Sequence, residues 1–145
     1  MISGIGVDIL SLSRFHSFVA RRGAEKVARR ICSPKEFERF RRIASTRQGD
    51  VLDQQVQFLS SRWCIKEAAY KSLFGLLPSS PTFKTFQLVH ASTGQPRLDI
   101  VPQEIAANYA LMPTLSHDAG VVVGVVVSLD KTFKQVTQFN QGLEA

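Results

Sequence analysis

Arg62-Trp63-Cys64-Ile65-Lys66-Glu67-Ala68-Ala69-Tyr70-Lys71-Ser72-Leu73-Phe74-Gly75 is the stretch on which the reading of this chain turns. It is apolar enough to be buried, yet it carries a carboxylate at 67 and cations at 62, 66 and 71. Followed back to Leu52 at helical spacing, the apolar residues fall into two stripes. Leu52, Val56, Leu59, Trp63, Tyr70 and Phe74 form one, and Phe58, Ile65, Ala69, Leu73 and Leu76 form the other. A helix with two apolar stripes is covered on two sides, so this one is expected at the centre of the fold. Its predicted start lies after Asp50 or Asp53, and Gly75 is its predicted stop. Glu67 sits at the margin of the first stripe with Lys71 one turn on. Taken alone, that is an i,i+4 pair contributing about 0.2–0.5 kcal/mol.

The segments before it are short and basic. Ile2 to Leu10 alternates as a strand, and Gly4 and Gly6 allow other backbone or a ligand to come close. Asp8 at the end of that strand is an edge or cap residue, or a metal ligand, since acids are depleted in strands. Ser11 or Ser13 can cap a helix to about Arg22, with Phe15, Phe18 and Val19 facing inward and Arg14 and Arg21 sharing another side. Ala24 to Ile31 is a second short helix. Ser33-Pro34-Lys35-Glu36 opens a third with a capping box, and Ser45 to Asp50 is a loop.

Beyond the central helix, Pro78 to Pro81 is a loop and Phe83 to Ala91 a strand. The turn Ser92-Thr93-Gly94-Gln95-Pro96 leads into a partner strand, Arg97 to Val101. A short helix, Gln103 to Tyr109, precedes a strand over Leu111 to His117, a turn at Asp118-Ala119-Gly120, and a last strand over 121–127. That strand is apolar on both faces, so both need cover, and in a small chain one cover can be another subunit. The whole is expected to be one α+β domain over 1–145, a small antiparallel sheet packed on the long helix, with 131–145 a loose tail.

Composition narrows the function. The longest apolar run, 119–129, is too short to span a membrane, so no membrane role is expected. MISGIGVDIL lacks a charged start and a cleavage site, so it does not read as a signal peptide. Cys32 and Cys64 read as two buried thiols with no metal-ligand spacing around them. Residues 1–50 hold 11 Lys/Arg against 5 Asp/Glu, while residues 51–145 hold 7 of each. The excess charge on one segment implies an acidic partner docking there.

Three elements together resemble a known family. They are Gly4-Ile5-Gly6-Val7-Asp8-Ile9, the run Phe58-Leu59-x-x-Arg62-Trp63-x-x-Lys66-Glu67-Ala68-x-x-Lys71, and Leu115-Ser116-His117-Asp118 before a valine-rich strand. In order and spacing the chain is similar, over about residues 2–130, to the 4′-phosphopantetheinyl transferases of the short, holo-acyl-carrier-protein synthase type. The resemblance implies that family's fold and its reaction: Mg²⁺-dependent transfer of the 4′-phosphopantetheine arm of coenzyme A to a serine of apo acyl carrier protein, releasing adenosine 3′,5′-bisphosphate.

By that resemblance Asp8 and Glu67 hold the metal and, with Lys71, are catalytic. Ser116, His117, Gly94 and Pro96 meet coenzyme A, although Thr93 stands where many members have Asn. Arg62 and Lys66 become candidates for the 3′-phosphate or adenine region, against the plainer reading of cations snorkelling from a buried helix. Arg14, with Arg21 and Arg22, would dock the acidic carrier protein. The short type is typically a homotrimer with its site at the subunit interface. The length of 41–57 hints at an organelle enzyme of the mitochondrial matrix, with the bacterial cytoplasm as the alternative. The rival from another class is a basic nucleic-acid-binding module using the Arg-rich 14–47 region; it explains the charge and leaves Asp8, Glu67 and Lys71 without a use. A catalytically dead homologue is the third reading, and it conflicts with the presence of all four of Asp8, Glu67, Lys71 and His117.

Overall fold

The computed structural model describes residues 1–45 and 49–132. In chain order the elements are β1 (Ile2–Ser11), α1 (Leu12–Arg22), α2 (Ala24–Ile31), α3 (Pro34–Ala44), α4 (Val51–Ser72), a 3₁₀ turn (Phe83–Thr85), β2 (Phe86–His90), β3 (Pro96–Ile100), α5 (Gln103–Asn108), β4 (Tyr109–Asp118) and β5 (Val121–Asp130). β1, β5 and β4 form an antiparallel sheet in that order, and β2 and β3 form a separate antiparallel hairpin. This is the expected α+β architecture around a long helix. No helix among the described residues is long and apolar enough to cross a membrane. The tail beyond Thr132 and residues 46–48 of the predicted loop lie outside the described residues.

The helix boundaries follow from local chemistry. Ser11 caps α1, its hydroxyl accepting from the Arg14 amide. Ser33 and Glu36 form the predicted capping box of α3, with Pro34 in its first turn. Asp50 decides the start of α4, because its carboxylate accepts from the amides of Leu52 and Asp53. α4 ends at Ser72, before Gly75, and this overturns two expectations. Phe74 and Leu76, placed on the apolar stripes, lie past the helix and are 72% and 38% exposed. Phe83 to Thr85 is a 3₁₀ turn, so the strand expected from Phe83 begins only at Phe86.

α4 lies directly on the sheet because the sheet has no side chains where they meet. A Cβ on Gly6 would stand 1.9 Å from the Ala68 carbonyl oxygen, and one on Gly4 would stand 2.1 Å from that of Ser72. On β5, a Cβ on Gly124 would press on the Cys64 carbonyl at 3.1 Å. The close approach that Gly4 and Gly6 permit is therefore made by backbone. Ser128 fastens the contact, its hydroxyl donating to the Ser72 carbonyl at 2.8 Å. On either side, one apolar cluster forms around Phe15, Val19, Ile31, Phe40 and Leu59, and a second around Ile65, Leu73, Phe86, Leu88 and Val126.

The far face of the sheet carries no element of this chain among the described residues. Register pairs Ile5 with Val127, Val7 with Val125 and Ile9 with Val123 across β1 and β5. Ile5, Val7 and Ile9 are more than half exposed, as is Met112 beside them on β4. The valine strand is thus covered on one face only.

Gly6→Ala tests the backbone contact. The added methyl has only backbone to meet, so α4 must lift from β1, and overpacking of this kind costs about 1–3 kcal/mol or more. Thermal unfolding should show a clear loss of stability, whereas Gly23→Ala, with nothing within 4 Å of its added Cβ, should lose only what its φ of 86° imposes.

Candidate active site

Asp8 leaves β1 on the face that α4 covers, opposite Gly124 in register. Because β1 and α4 touch without side chains, the Asp8 carboxylate reaches the last turns of the helix. There Lys71 donates from Nζ to Asp8 Oδ1 at 2.9 Å and to the Val7 carbonyl at 2.9 Å. The ammonium thus bonds across to the strand acid. Glu67, one turn earlier, is partly buried. Burial pushes its carboxyl above the ordinary carboxylate range, the negative charge of Asp8 adds to this, and Lys71 opposes it. The structure brings Asp8, Glu67 and Lys71 together: the ammonium is bonded to Asp8, and Glu67 lies within electrostatic reach of both.

That donor set suits a hard divalent cation. Mg²⁺ takes one or two carboxylates and fills its remaining positions with water and substrate oxygens. Among the described residues no cluster of three or more His, Cys, Asp and Glu could hold a metal. Softer, fully protein-bound metals therefore have no cage here. Cys64 lies next to Asp8 but only braces it, its thiol donating to the Asp8 carbonyl at 3.3 Å. Burial, followed by the charge of Asp8, pushes that thiol up to about 12. Cys32 is likewise pushed up to about 12, chiefly by burial, and both behave as the inert thiols expected.

Arg62 and Lys66 do not join this cluster; within the chain they turn to Glu36, which is the plainer of the two readings offered for them. The Lys66 side chain is 0% exposed. Its ammonium donates to Glu36 Oε2 at 2.6 Å and to the Ile31 carbonyl at 2.7 Å. Arg62 Nε lies 3.9 Å from Glu36 Oε1. The Arg62 guanidinium stacks 3.4 Å from the Phe58 ring centroid and donates to the Phe58 carbonyl and the Ser61 hydroxyl. Burial lowers the proton affinity of both cations, Arg62 to about 10, while Glu36 works against the loss. Glu36 also accepts from the Ser33 amide and, through Oε1, from the Leu88 amide. One carboxylate thus ties together α3, the end of α2, α4 and the hairpin. Both cations are spent on internal partners, although Lys66 also contributes to the wall of the cavity beside Glu67.

The remaining predicted residues fall in three places. His117 and Pro96 line a cavity of about 460 Å³ with His90, Ser60, Ser61 and Gln57. Gly94 lies in the hairpin turn above it, with a φ of 83°. Ser116 alternates to the opposite face of β4, in register with Val123, so it does not share the His117 side. Arg14 and Arg21 line a groove with Ile9, Phe15, Phe18 and Trp63, while Arg22 is exposed but outside it. Residues not anticipated from sequence appear beside Glu67, where Arg30, Tyr70, Thr82 and Phe83 line a cavity of about 360 Å³. The only sequence signal for Arg30 was its place in a basic helix.

Three comparisons agree on what carries this geometry. Residues 4–126 match the model of the 4′-phosphopantetheinyl transferase superfamily. The holo-[acyl-carrier-protein] synthase of Yersinia enterocolitica is 35% identical over 97 residues, 67% of this chain and 69% of the relative. The crystal structure of the Neisseria meningitidis holo-[acyl-carrier-protein] synthase superposes with a TM-score of 0.72 at 25% identity, over 90% of this chain and 100% of that one. The Helicobacter pylori synthase, solved in complex with coenzyme A, shares the fold with a TM-score of 0.67 at 23% identity, over 86% of this chain and 99% of that one. The chain belongs to the 4′-phosphopantetheinyl transferase superfamily. Within it, the chain is an enzyme of the holo-acyl-carrier-protein synthase type.

The buried network makes a direct prediction. Lys66→Met removes the closest charge partner of buried Glu36 and leaves it only the Arg62 contact at 3.9 Å; removing one partner of a buried pair costs up to about 3–5 kcal/mol. Denaturant unfolding should show that loss. Lys66→Met combined with Glu36→Gln should recover part of it, because the stranded charge is then gone.

Proposed function

We propose that this enzyme transfers the 4′-phosphopantetheine group of coenzyme A to a serine of an apo acyl carrier protein. The observation that carries the reading is the Asp8–Lys71–Glu67 cluster, held at the seam of β1 and α4. In the reaction the serine oxygen bonds to the pantetheine-bearing phosphorus. The bridging P–O bond breaks, adenosine 3′,5′-bisphosphate leaves, and the serine proton passes to the acidic pair. Asp8 and Glu67 would hold Mg²⁺, which when bound supplies charge neutralisation at the pyrophosphate. Lys71, half-exposed, is long enough to place its ammonium on a phosphate oxygen. Arg30, across the adjoining cavity and in no ion pair among the described residues, is a further anion contact that belongs to this reading.

The coenzyme A contacts and the metal-binding acids do not share one cavity in this chain. His117 and Pro96 face the cavity beside Ser60 and Ser61, whereas Glu67 faces the one beside Arg30 and Tyr70. A site built from both needs a second copy. The uncovered apolar face of β1, β5 and β4 gives such a copy somewhere to pack, which supports a homotrimer with shared sites. Sedimentation should give three chains, and Val125→Asp, in the middle of that face, should give an inactive monomer. A wild-type monomer that turns over would sink the shared-site reading.

The carrier reading rests on charge. Arg14 and Arg21 flank an apolar groove, an arrangement that fits an acidic helix with apolar residues on its inner side. A nucleic-acid module would account for the same charge but leaves the Asp8–Lys71–Glu67 cluster idle.

Incubation with apo carrier protein, coenzyme A and Mg²⁺, read by mass spectrometry of the carrier, tests all of this at once. The carrier should gain one phosphopantetheine mass, and the gain should vanish with EDTA or Glu67→Gln. Arg14→Glu should raise KM for the carrier about tenfold or more while leaving KM for coenzyme A nearly unchanged. No mass gain on any apo carrier would rule out the proposed activity.

A further inference from the structure

We propose that Lys71 is the resting counter-ion of the metal site: its ammonium occupies the Asp8 carboxylate in the metal-free protein, and a divalent cation at Asp8 and Glu67 displaces it toward the substrate. This deepens the reading of Asp8 and Glu67 as a metal site and rests on it.

Two lysines on α4 occupy contrasting surroundings. Lys66 and Lys71 both pair with an acid from another element. Lys66 is sealed, with a side chain 0% exposed and both acceptors buried around it. Lys71 is 47% exposed, and its pair with Asp8 stands at the mouth of the site. Withdrawal of Lys66 would strand charge in the core. Withdrawal of Lys71 passes an ammonium from two acceptors into water or onto a phosphate. The same residue type is locked at one position and exchangeable at the other.

Charge supplies the drive. The Lys71 ammonium lies 2.9 Å from Asp8 Oδ1 and 2.9 Å from the Val7 carbonyl, with Glu67 one helical turn away. One ammonium neutralises one carboxylate; a divalent ion neutralises both. Lys71 Nζ also stands within hydrogen-bond distance of Oδ1, an oxygen the metal would use. Ammonium and metal therefore compete for the same atom, and competing ligands weaken each other reciprocally. Displacement then acts at the right moment, since a cation arriving with its substrate frees a second positive charge at the pyrophosphate.

The experiment uses the full chain without coenzyme A. Titration calorimetry with Mg²⁺ compares the wild type, Lys71→Met and Arg30→Gln, with circular dichroism confirming that each variant is folded. Lys71→Met should bind the ion about three- to tenfold more tightly, the range expected when one partly exposed ionic competitor is removed. Arg30→Gln also removes a positive charge near Glu67 but touches no carboxylate, so its affinity should change less than about twofold. On the wild type, reductive methylation followed by peptide mass spectrometry should show Lys71 reacting faster at saturating Mg²⁺, with Lys66 unreactive throughout. Unchanged or weaker binding by Lys71→Met, an equal gain in Arg30→Gln, or a Lys71 labelling rate indifferent to Mg²⁺ would each overturn the displacement. Failure of all three proteins to bind the metal would instead overturn the metal site itself, and displacement with it. The labelling arm needs no variant, so a Lys71→Met that does not fold leaves the inference testable.

Discussion

The structure depends on a contact made without side chains. Where β1 crosses α4, Gly4 and Gly6 set their Cα atoms against the carbonyls of Ser72 and Ala68, and Gly124 does the same for β5 against Cys64. Glycine inside a strand is usually a cost, because it adds entropy to the unfolded chain and packs nothing. Here that cost gives proximity. Side chains on both elements would hold strand and helix roughly 10 Å apart. With none on the strand side, an acid on β1 and a lysine on α4 meet at 2.9 Å. The candidate site is a consequence of the packing, and it could not survive an alanine at the seam.

That seam explains how far the sequence could be read. The central helix, the caps at Ser33 and Asp50 and the apolar character of both faces of the valine strand were legible, and the family resemblance implied the grouping of Asp8, Glu67 and Lys71. They depend on local patterns or on a motif whose spacing holds the geometry. What failed depended on tertiary partners. Arg62 and Lys66 looked like spare cations because helical periodicity says which side a residue faces and nothing of what waits there. Their partner, Glu36, was readable only as a cap. The fact that it is 1% exposed, and must therefore be charge-paired, emerges once α3 is folded against α4. Ser116 is a different case, lying on the uncovered face of the sheet. Strand alternation already separated it from His117, but the family pattern treats the two as a unit. Thr82 reaches the Glu67 cavity at the end of a 73–82 connection that has no periodicity to read, and Arg30 reaches it from α2, whose packing against the turn at Phe83–Thr85 is a tertiary matter.

The charges on α4 are divided unequally between its faces. In the core, one carboxylate, Glu36, meets two cations, Lys66 and Arg62. On the adjoining face, Lys71 pairs with Asp8 while Glu67 stands nearby. The core face is over-supplied with positive charge and can tolerate the reduced proton affinity that burial imposes. Even at about 10, Arg62 stays protonated at neutral pH. Around Asp8 and Glu67, α4 offers the single exposed ammonium of Lys71. The helix is therefore more than a scaffold: by burying Lys66 and Arg62 on Glu36, it keeps their charge in the core and leaves Lys71 as the cation that meets the strand acid.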